Sequence, residues 1–252
     1  ILTRICYPWY TIAVQQSEVK LVTIGGLQKL TLLDFPGRTA CTVFLSGCNL
    51  CCPYCHNPGL VVPDETAESL PEGELLRFLS SRIGKLDGVC VSGGEPTIHP
   101  ELPALLSMIR ELGFQVKLDT NGTNPRMLYE ILRDGLADYI AMDIKNSPTR
   151  YAETCGGMDV LTEVEDSVRL LMNGDTPYEF RTTICKGLHT AREIRAIGEW
   201  LRDAKRYFLQ PFEDSGRILR KGIQPPSHEE LYTYRQILLP CIPDTYIRGV
   251  YN

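Results

Sequence analysis

The sequence predicts an α/β fold, an open and partial (β/α)6 barrel, and three observations carry that prediction. Short β-branched or apolar runs alternate with segments of helical period, the pattern of βαβ units around a parallel sheet. Counted from residue 39 there are six such units, too few to close a ring of eight. Polar or glycine-containing motifs also fall at the C-terminal ends of five successive strands, which suits a ring of strand ends around one site better than a doubly wound sheet.

The elements follow in order. Residues 25–38 (GGLQKLTLLDFPGR) hold one short strand or a turn-rich hairpin that ends at the Phe-Pro-Gly turn. Residues 39–46 (TACTVFLS) read as a buried strand that runs straight into a cysteine-rich loop. Helices are predicted at 71–83, with Leu75, Leu76, Phe78 and Leu79 on one period, and at 101–112, where Gly113 sits at the C-cap position. A further helix spans 125–133 with Pro in its first turn, and others lie near 160–172, 191–204 and 227–239. The alternating strands are 88–91, 115–118, 139–144, 178–184 and 206–210, with a last one at 245–250. Residues 58–68 and 213–226 are the longest irregular stretches, read as surface connections, lids or docking loops.

The whole chain bounds the function. Its 252 residues suit one large domain, taken as 22–252, preceded by a poorly informative leader at 1–21 with no signal-peptide pattern. A net charge of −5 and scattered Lys and Arg argue against nucleic acid as a main partner. No run of 18 apolar residues suggests a membrane span. Four of the ten cysteines crowd into residues 48–55, which fits metal binding in a reducing cytoplasm better than a disulfide framework.

That crowded stretch, G-C-N-L-C-C-P-Y-C-H-N-P from Gly47, must be a loop, because Gly47, Pro53 and Pro58 punctuate it too densely for a helix or strand. Cys48, Cys52 and Cys55 make C-x3-C-x2-C, whereas Cys48, Cys51 and Cys55 make the reverse spacing. Three thiolates on a [4Fe–4S] cluster leave one iron without a protein ligand and open to a substrate. A zinc-stabilised binding module is the non-catalytic alternative, since zinc also takes clustered thiolates. At later strand ends stand Gly93-Gly94-Glu95-Pro96, Asp119-Thr120-Asn121-Gly122 and Asp143-Ile144-Lys145. Each has a plain structural reading too: a strand-to-helix turn, a turn with a cap, and an ion pair on one face of a strand. Arg181 and Gln210 sit in late strands and are possible inward residues. His99, His189 and His228 read as surface or capping residues, and His56 as a loop histidine bonded to backbone. Cys6, Cys41, Cys90, Cys155, Cys185 and Cys241 read as small buried apolar residues.

The cysteine loop with Tyr54 resembles the C-x3-C-x-aromatic-C motif of the radical S-adenosylmethionine (SAM) enzymes, and this resemblance selects Cys52 over Cys51. Cys51 departs from the basic or polar residue expected there. The resemblance spans residues 22–249 and implies a [4Fe–4S] cluster on Cys48, Cys52 and Cys55. It further implies SAM held by Tyr54, Gly93, Gly94, Glu95, Asp119, Asn121, Asp143 and Lys145, with Glu95 and the glycine backbone toward the methionine ammonium. Asp-Thr-Asn-Gly and Asp-x-Lys are similar to segments of the glycyl-radical activating branch, and G-L-Q-K-L-T-L-L-D-F-P-G-R looks most like activating proteins of anaerobic ribonucleoside-triphosphate reductase. The implied activity is reductive cleavage of SAM to a 5′-deoxyadenosyl radical that takes hydrogen from a glycine of a partner enzyme. A flavodoxin or ferredoxin-type protein would supply the electron. Two rivals within the class are a small-molecule enzyme resembling 7-carboxy-7-deazaguanine synthase and an activase of another glycyl radical enzyme.

Overall fold

The computed structural model describes residues 22–55, 57–61, 69–214, 216 and 218–249. The leader at 1–21, His56, the stretch 62–68 and Val250 lie outside the described residues. Eight strands form one sheet: β1 (Ile24–Thr31), β2 (Ala40–Leu45), β3 (Gly88–Gly93), β4 (Gln115–Thr120), β5 (Tyr139–Asp143), β6 (Tyr178–Ile184), β7 (Tyr207–Pro211) and β8 (Thr245–Ile247). Their spatial order is their chain order, and β1 and β8 are not paired with each other, so the barrel is open. β2 to β8 run parallel, while β1 returns antiparallel beside β2. The stretch expected to be a short strand or a hairpin is thus a single eight-residue strand that extends the sheet by one edge.

The helices are α1 (Pro58–Val61), α2 (Glu72–Ser80), α3 (Leu102–Glu111), α4 (Pro125–Arg133), α5 (Tyr151–Thr154), α6 (Leu161–Asn173), α7 (Ala191–Trp200) and α8 (His228–Leu238). Local chemistry sets their starts: Asn124 caps α4, and Thr190 and Ser227 head capping boxes on α7 and α8. Each long helix buries one stripe against the strands. In α3 that stripe is Leu102, Leu105, Leu106 and Ile109, facing a sheet whose strands are buried nearly throughout. No helix among the described residues is long and apolar enough to cross a membrane. Parallel strands all end at one rim, and every motif singled out above lies there.

Candidate active site

The cysteine loop leaves β2 and is tied at once to its neighbours. Gly47 N donates to Leu60 O at 2.6 Å and Glu95 N donates to Gly47 O at 2.8 Å. Cys48, Cys52, Tyr54 and Cys55 line a cavity of about 440 Å³ above the strand ends. Cys51 does not line it: it is exposed and faces a separate hollow with Gly156 and Arg220. The 213–226 connection crosses over the loop, where Arg220 N donates to Pro53 O at 3.0 Å.

Two glycines let β3 end against this loop. A Cβ on Gly94 would lie 1.9 Å from Gly47 O, and one on Gly93, whose φ is 129°, would lie 2.2 Å from Leu45 O. The close approach that demands glycine here is backbone against backbone. Glu95 is buried, and its carboxylate is already engaged. Oε1 accepts from Thr97 N at 3.0 Å, Thr97 Oγ1 at 2.6 Å and Thr120 Oγ1 at 2.7 Å, and Oε2 accepts from Asn121 N at 2.6 Å. Burial still pushes its carboxyl above the ordinary range. Its first role is therefore to lock the ends of β3 and β4 together, and only Oε2 keeps a free acceptor position. Asn121 is similarly committed: its side-chain oxygen accepts from Thr123, and its amide donates to Asn49 of the cysteine loop at 3.0 Å.

The floor is a run of alternating charges across β4, β5 and β6. Lys117, fully buried, pairs with Asp119. Asp119 also takes Arg181 at 3.1 Å and the Ser92 hydroxyl at 3.1 Å. Arg181 pairs with Asp143, its register partner across β5 and β6, and Asp143 accepts from Lys145 Nζ at 2.9 Å. Burial alone would raise Asp143, but Arg181 and Lys145 outweigh it and hold the carboxyl well below the usual carboxylate range. Asp119 is held low in the same way by Arg181 and Lys117. Burial would lower Lys145, yet Asp143 and Cys52 keep it protonated far above its ordinary value. The five charges sum to +1, and the ammonium at the end of the run borders the cavity.

All eleven residues expected from the motifs line that one cavity, and so do Arg181 and Gln210. Sequence reasoning missed Asp34, Ser92 and Thr183, which line it too, and Lys117, which braces it from below. His189 differs from expectation. It is buried, accepts from Cys185 N at 3.0 Å and bonds Lys145 O at 2.9 Å, so it fixes the backbone of the lysine rather than capping a helix. His99 bonds Ser46 O at 2.9 Å. Among the described residues no three His, Cys, Asp or Glu side chains converge as a single-ion site needs. Three soft sulfur donors on one loop, beside a cavity with a buried cation and the buried, unpartnered Tyr54 hydroxyl, fit an iron–sulfur cluster with a charged organic ligand.

Comparison with known proteins agrees. A Methanocaldococcus jannaschii protein named as a glycyl-radical enzyme activating enzyme is 30% identical over 236 residues, covering 90% of this chain and 96% of the relative. The pyruvate formate-lyase-activating enzyme of Streptococcus mutans is 27% identical over 241 residues, 85% of this chain and 90% of that one. Among solved structures, a domain of pyruvate-formate lyase-activating enzyme from Bacteroides vulgatus superposes with a TM-score of 0.54 at 24% identity, covering 64% of this chain and 99% of the domain. Residues 42–205 match the Radical SAM superfamily, a span that holds the cysteine loop and all three strand-end motifs. The chain therefore belongs to the radical SAM superfamily, in the branch of the glycyl-radical activating enzymes.

Proposed function

We propose that this chain is a radical SAM activase that generates a glycyl radical on a partner enzyme, and that the partner is anaerobic ribonucleoside-triphosphate reductase. One observation carries the reading: Cys48, Cys52 and Cys55 share a single cavity with the Gly-Gly-Glu, Asp-Thr-Asn and Asp-x-Lys strand ends, while Cys51 faces elsewhere. Enzymes of this superfamily use a [4Fe–4S] cluster and SAM, and the cluster, when bound, supplies the electron that cleaves the sulfonium. The chain's own part is to hold and orient. The three cysteines would ligate the cluster. Lys145 has two ammonium protons beyond the one given to Asp143 and would bind the SAM carboxylate, while Glu95 Oε2 and the Gly93-Gly94 backbone would take the ammonium. Tyr54, Asp119 and Asn121 would complete the walls. The segment at residues 25–38 supports the choice of partner, a flavodoxin or ferredoxin-type protein is the proposed donor, and residues 22–252 act as one domain in the cytoplasm.

Purified without oxygen, the protein should be brown, and Cys48→Ala, Cys52→Ala and Cys55→Ala should each lose the cluster while Cys51→Ala keeps it. Iron lost from Cys51→Ala but kept by Cys52→Ala would reverse the ligand assignment. Reduced with dithionite and given SAM and the reductase of the same organism, the wild type should produce a glycyl-radical doublet in the electron spin resonance spectrum. SAM cleavage with no radical on any glycyl radical enzyme would shift the reading to a small-molecule substrate.

A further inference from the structure

The residues proposed for the cluster and SAM stand on the loop after β2 and at the ends of β3, β4 and β5, and they leave the inner face of β7 and β8 without a role. Strand register carries the cavity onto that face. Asp143 on β5 pairs with Arg181 on β6, Arg181 with Phe208 on β7, and Phe208 with Tyr246 on β8. In-register neighbours point to the same side of a sheet, so the charged floor runs on as an aromatic ledge. Two residues further along, Thr183 pairs with Gln210, and both line the cavity.

The ledge is firm and uncovered. The Phe208 and Tyr246 rings stack with 5.5 Å between centroids and 30° between planes. The Arg248 guanidinium lies 4.4 Å from the centre of the Phe208 ring and pairs with buried Glu179 at 2.8 Å. Tyr246 nevertheless stays 43% exposed, and β1 does not pair with β8 to close the barrel beside it. Beside the ledge, the Gln210 amide and the Thr183 hydroxyl have no hydrogen-bond partner among the described residues. An amide side chain offers both the donor and the acceptor that a peptide group needs. A rigid, exposed tyrosine next to it supplies apolar contact at low entropic cost.

We propose that the inner face of β7 and β8 binds the partner enzyme's glycine-bearing segment: an extended peptide enters between β1 and β8, rests a side chain on Tyr246 and Phe208, and pairs its backbone with Gln210 at the cavity edge. The inference rests on the activase reading, because a substrate that is itself protein backbone must reach the cavity from outside, whereas a small molecule would fit within it and leave the ledge unused. The test follows glycyl-radical formation by spin resonance as a function of reductase concentration, with the dithionite-reduced, full-length protein and SAM. Tyr246→Ala should raise the KM for the reductase roughly tenfold at a kcat near that of the wild type, with SAM affinity by calorimetry unchanged, and Tyr246→Phe should restore the KM. Gln210→Ala should raise the same KM roughly fivefold. Tyr129→Ala, which alters an exposed tyrosine on α4, should not move it.

An unchanged KM in both Tyr246→Ala and Gln210→Ala overturns the inference. SAM affinity that falls in both variants as far as KM rises would put SAM on this face and overturns it too. A wild type that elutes as a dimer, with Tyr246→Ala as a monomer, would make the ledge a contact between copies, which also overturns it. A wild type that cleaves SAM but leaves no radical on the reductase defeats the activase reading and this inference together, whereas a wild-type radical indifferent to both variants defeats only the inference.

Discussion

The two walls of the cavity are built on opposite principles. The floor across β4, β5 and β6 is complete in itself, since each buried charge from Lys117 to Lys145 has an opposite partner before any ligand arrives. The cysteine wall is tied to the sheet through Gly47 and Asn49, and among the hydrogen bonds of its ligand sulfurs is a long one from Leu50 N to Cys48 Sγ at 3.4 Å. A preorganised charged floor costs nothing to reorganise when a zwitterion binds, while a loop that awaits its metal can be loaded and unloaded without unfolding the sheet. The difference separates the residues whose loss should cost the fold from those whose loss should cost only the cofactor.

The hardest blow to that comparison is aimed at the floor. Arg181→Met removes the one cation shared by Asp119 and Asp143 and should cost about 3–5 kcal/mol in chemical denaturation, because two buried carboxylates lose a partner. The sign of the pH effect follows. With Arg181 present, Asp143 is held below its unfolded value, so its contribution exists above that value and is lost as acid protonates the folded form. Without Arg181 each carboxylate keeps its lysine, Lys117 for Asp119 and Lys145 for Asp143, so both should be held less far below their unfolded values and the variant should lose less stability than the wild type as pH falls. A variant with wild-type stability and the wild-type pH profile would show that the charges are solvated and the floor is not preorganised.

A smaller effect should come from the end of the run. Lys145→Met leaves Asp143 with Arg181, so the fold should hold, but one charge-assisted contact to SAM should go, about 1.5–3 kcal/mol or ten- to a hundredfold in calorimetric affinity. Unchanged affinity would assign Lys145 to the floor alone. On the other wall, Gly94→Ala forces β3 away from Gly47 O and should cost about 1–3 kcal/mol, with iron content falling further than the melting point. Equal losses in both would mean that loop and sheet form one cooperative unit. Least of all, Asn49→Ala cuts the bonds to Asn121 and Thr123 on a partly exposed surface and should cost about 0.5–1.5 kcal/mol, read as faster iron loss to a chelator.

What the sequence disclosed and what it hid divide along the same physical line. Strand positions were legible because alternation with helices is local, and a parallel sheet brings every strand end to one rim. The (i, i+2) pair Asp143 and Lys145 was legible because period 2 sets both on one face. The same rule applied to Lys117 and Asp119 would have found the buried lysine. Arg181 was harder. Its pairing with Asp143 depends on register across a βαβ crossover, which packing of the intervening helix sets and no local signal encodes. His189 was missed for a related reason, since its partner, the Lys145 carbonyl, lies far off in the chain. Glu95 was read correctly as a strand-end residue, but the four donors that occupy it come from two elements and cannot be seen in either alone.

A final consequence follows from the order of the strands, which is also the order of synthesis. A chain whose neighbours in space are its neighbours in sequence can add strands one at a time as it leaves the ribosome, with little loop closure to wait for. The cysteine loop emerges early, behind β2, yet the guanidinium between Asp119 and Asp143 arrives only with β6. A nascent chain halted before β6 would carry Asp119 and Asp143 with a lysine each but without the guanidinium they share. Metal offered before that point would meet a floor that still lacks its shared cation.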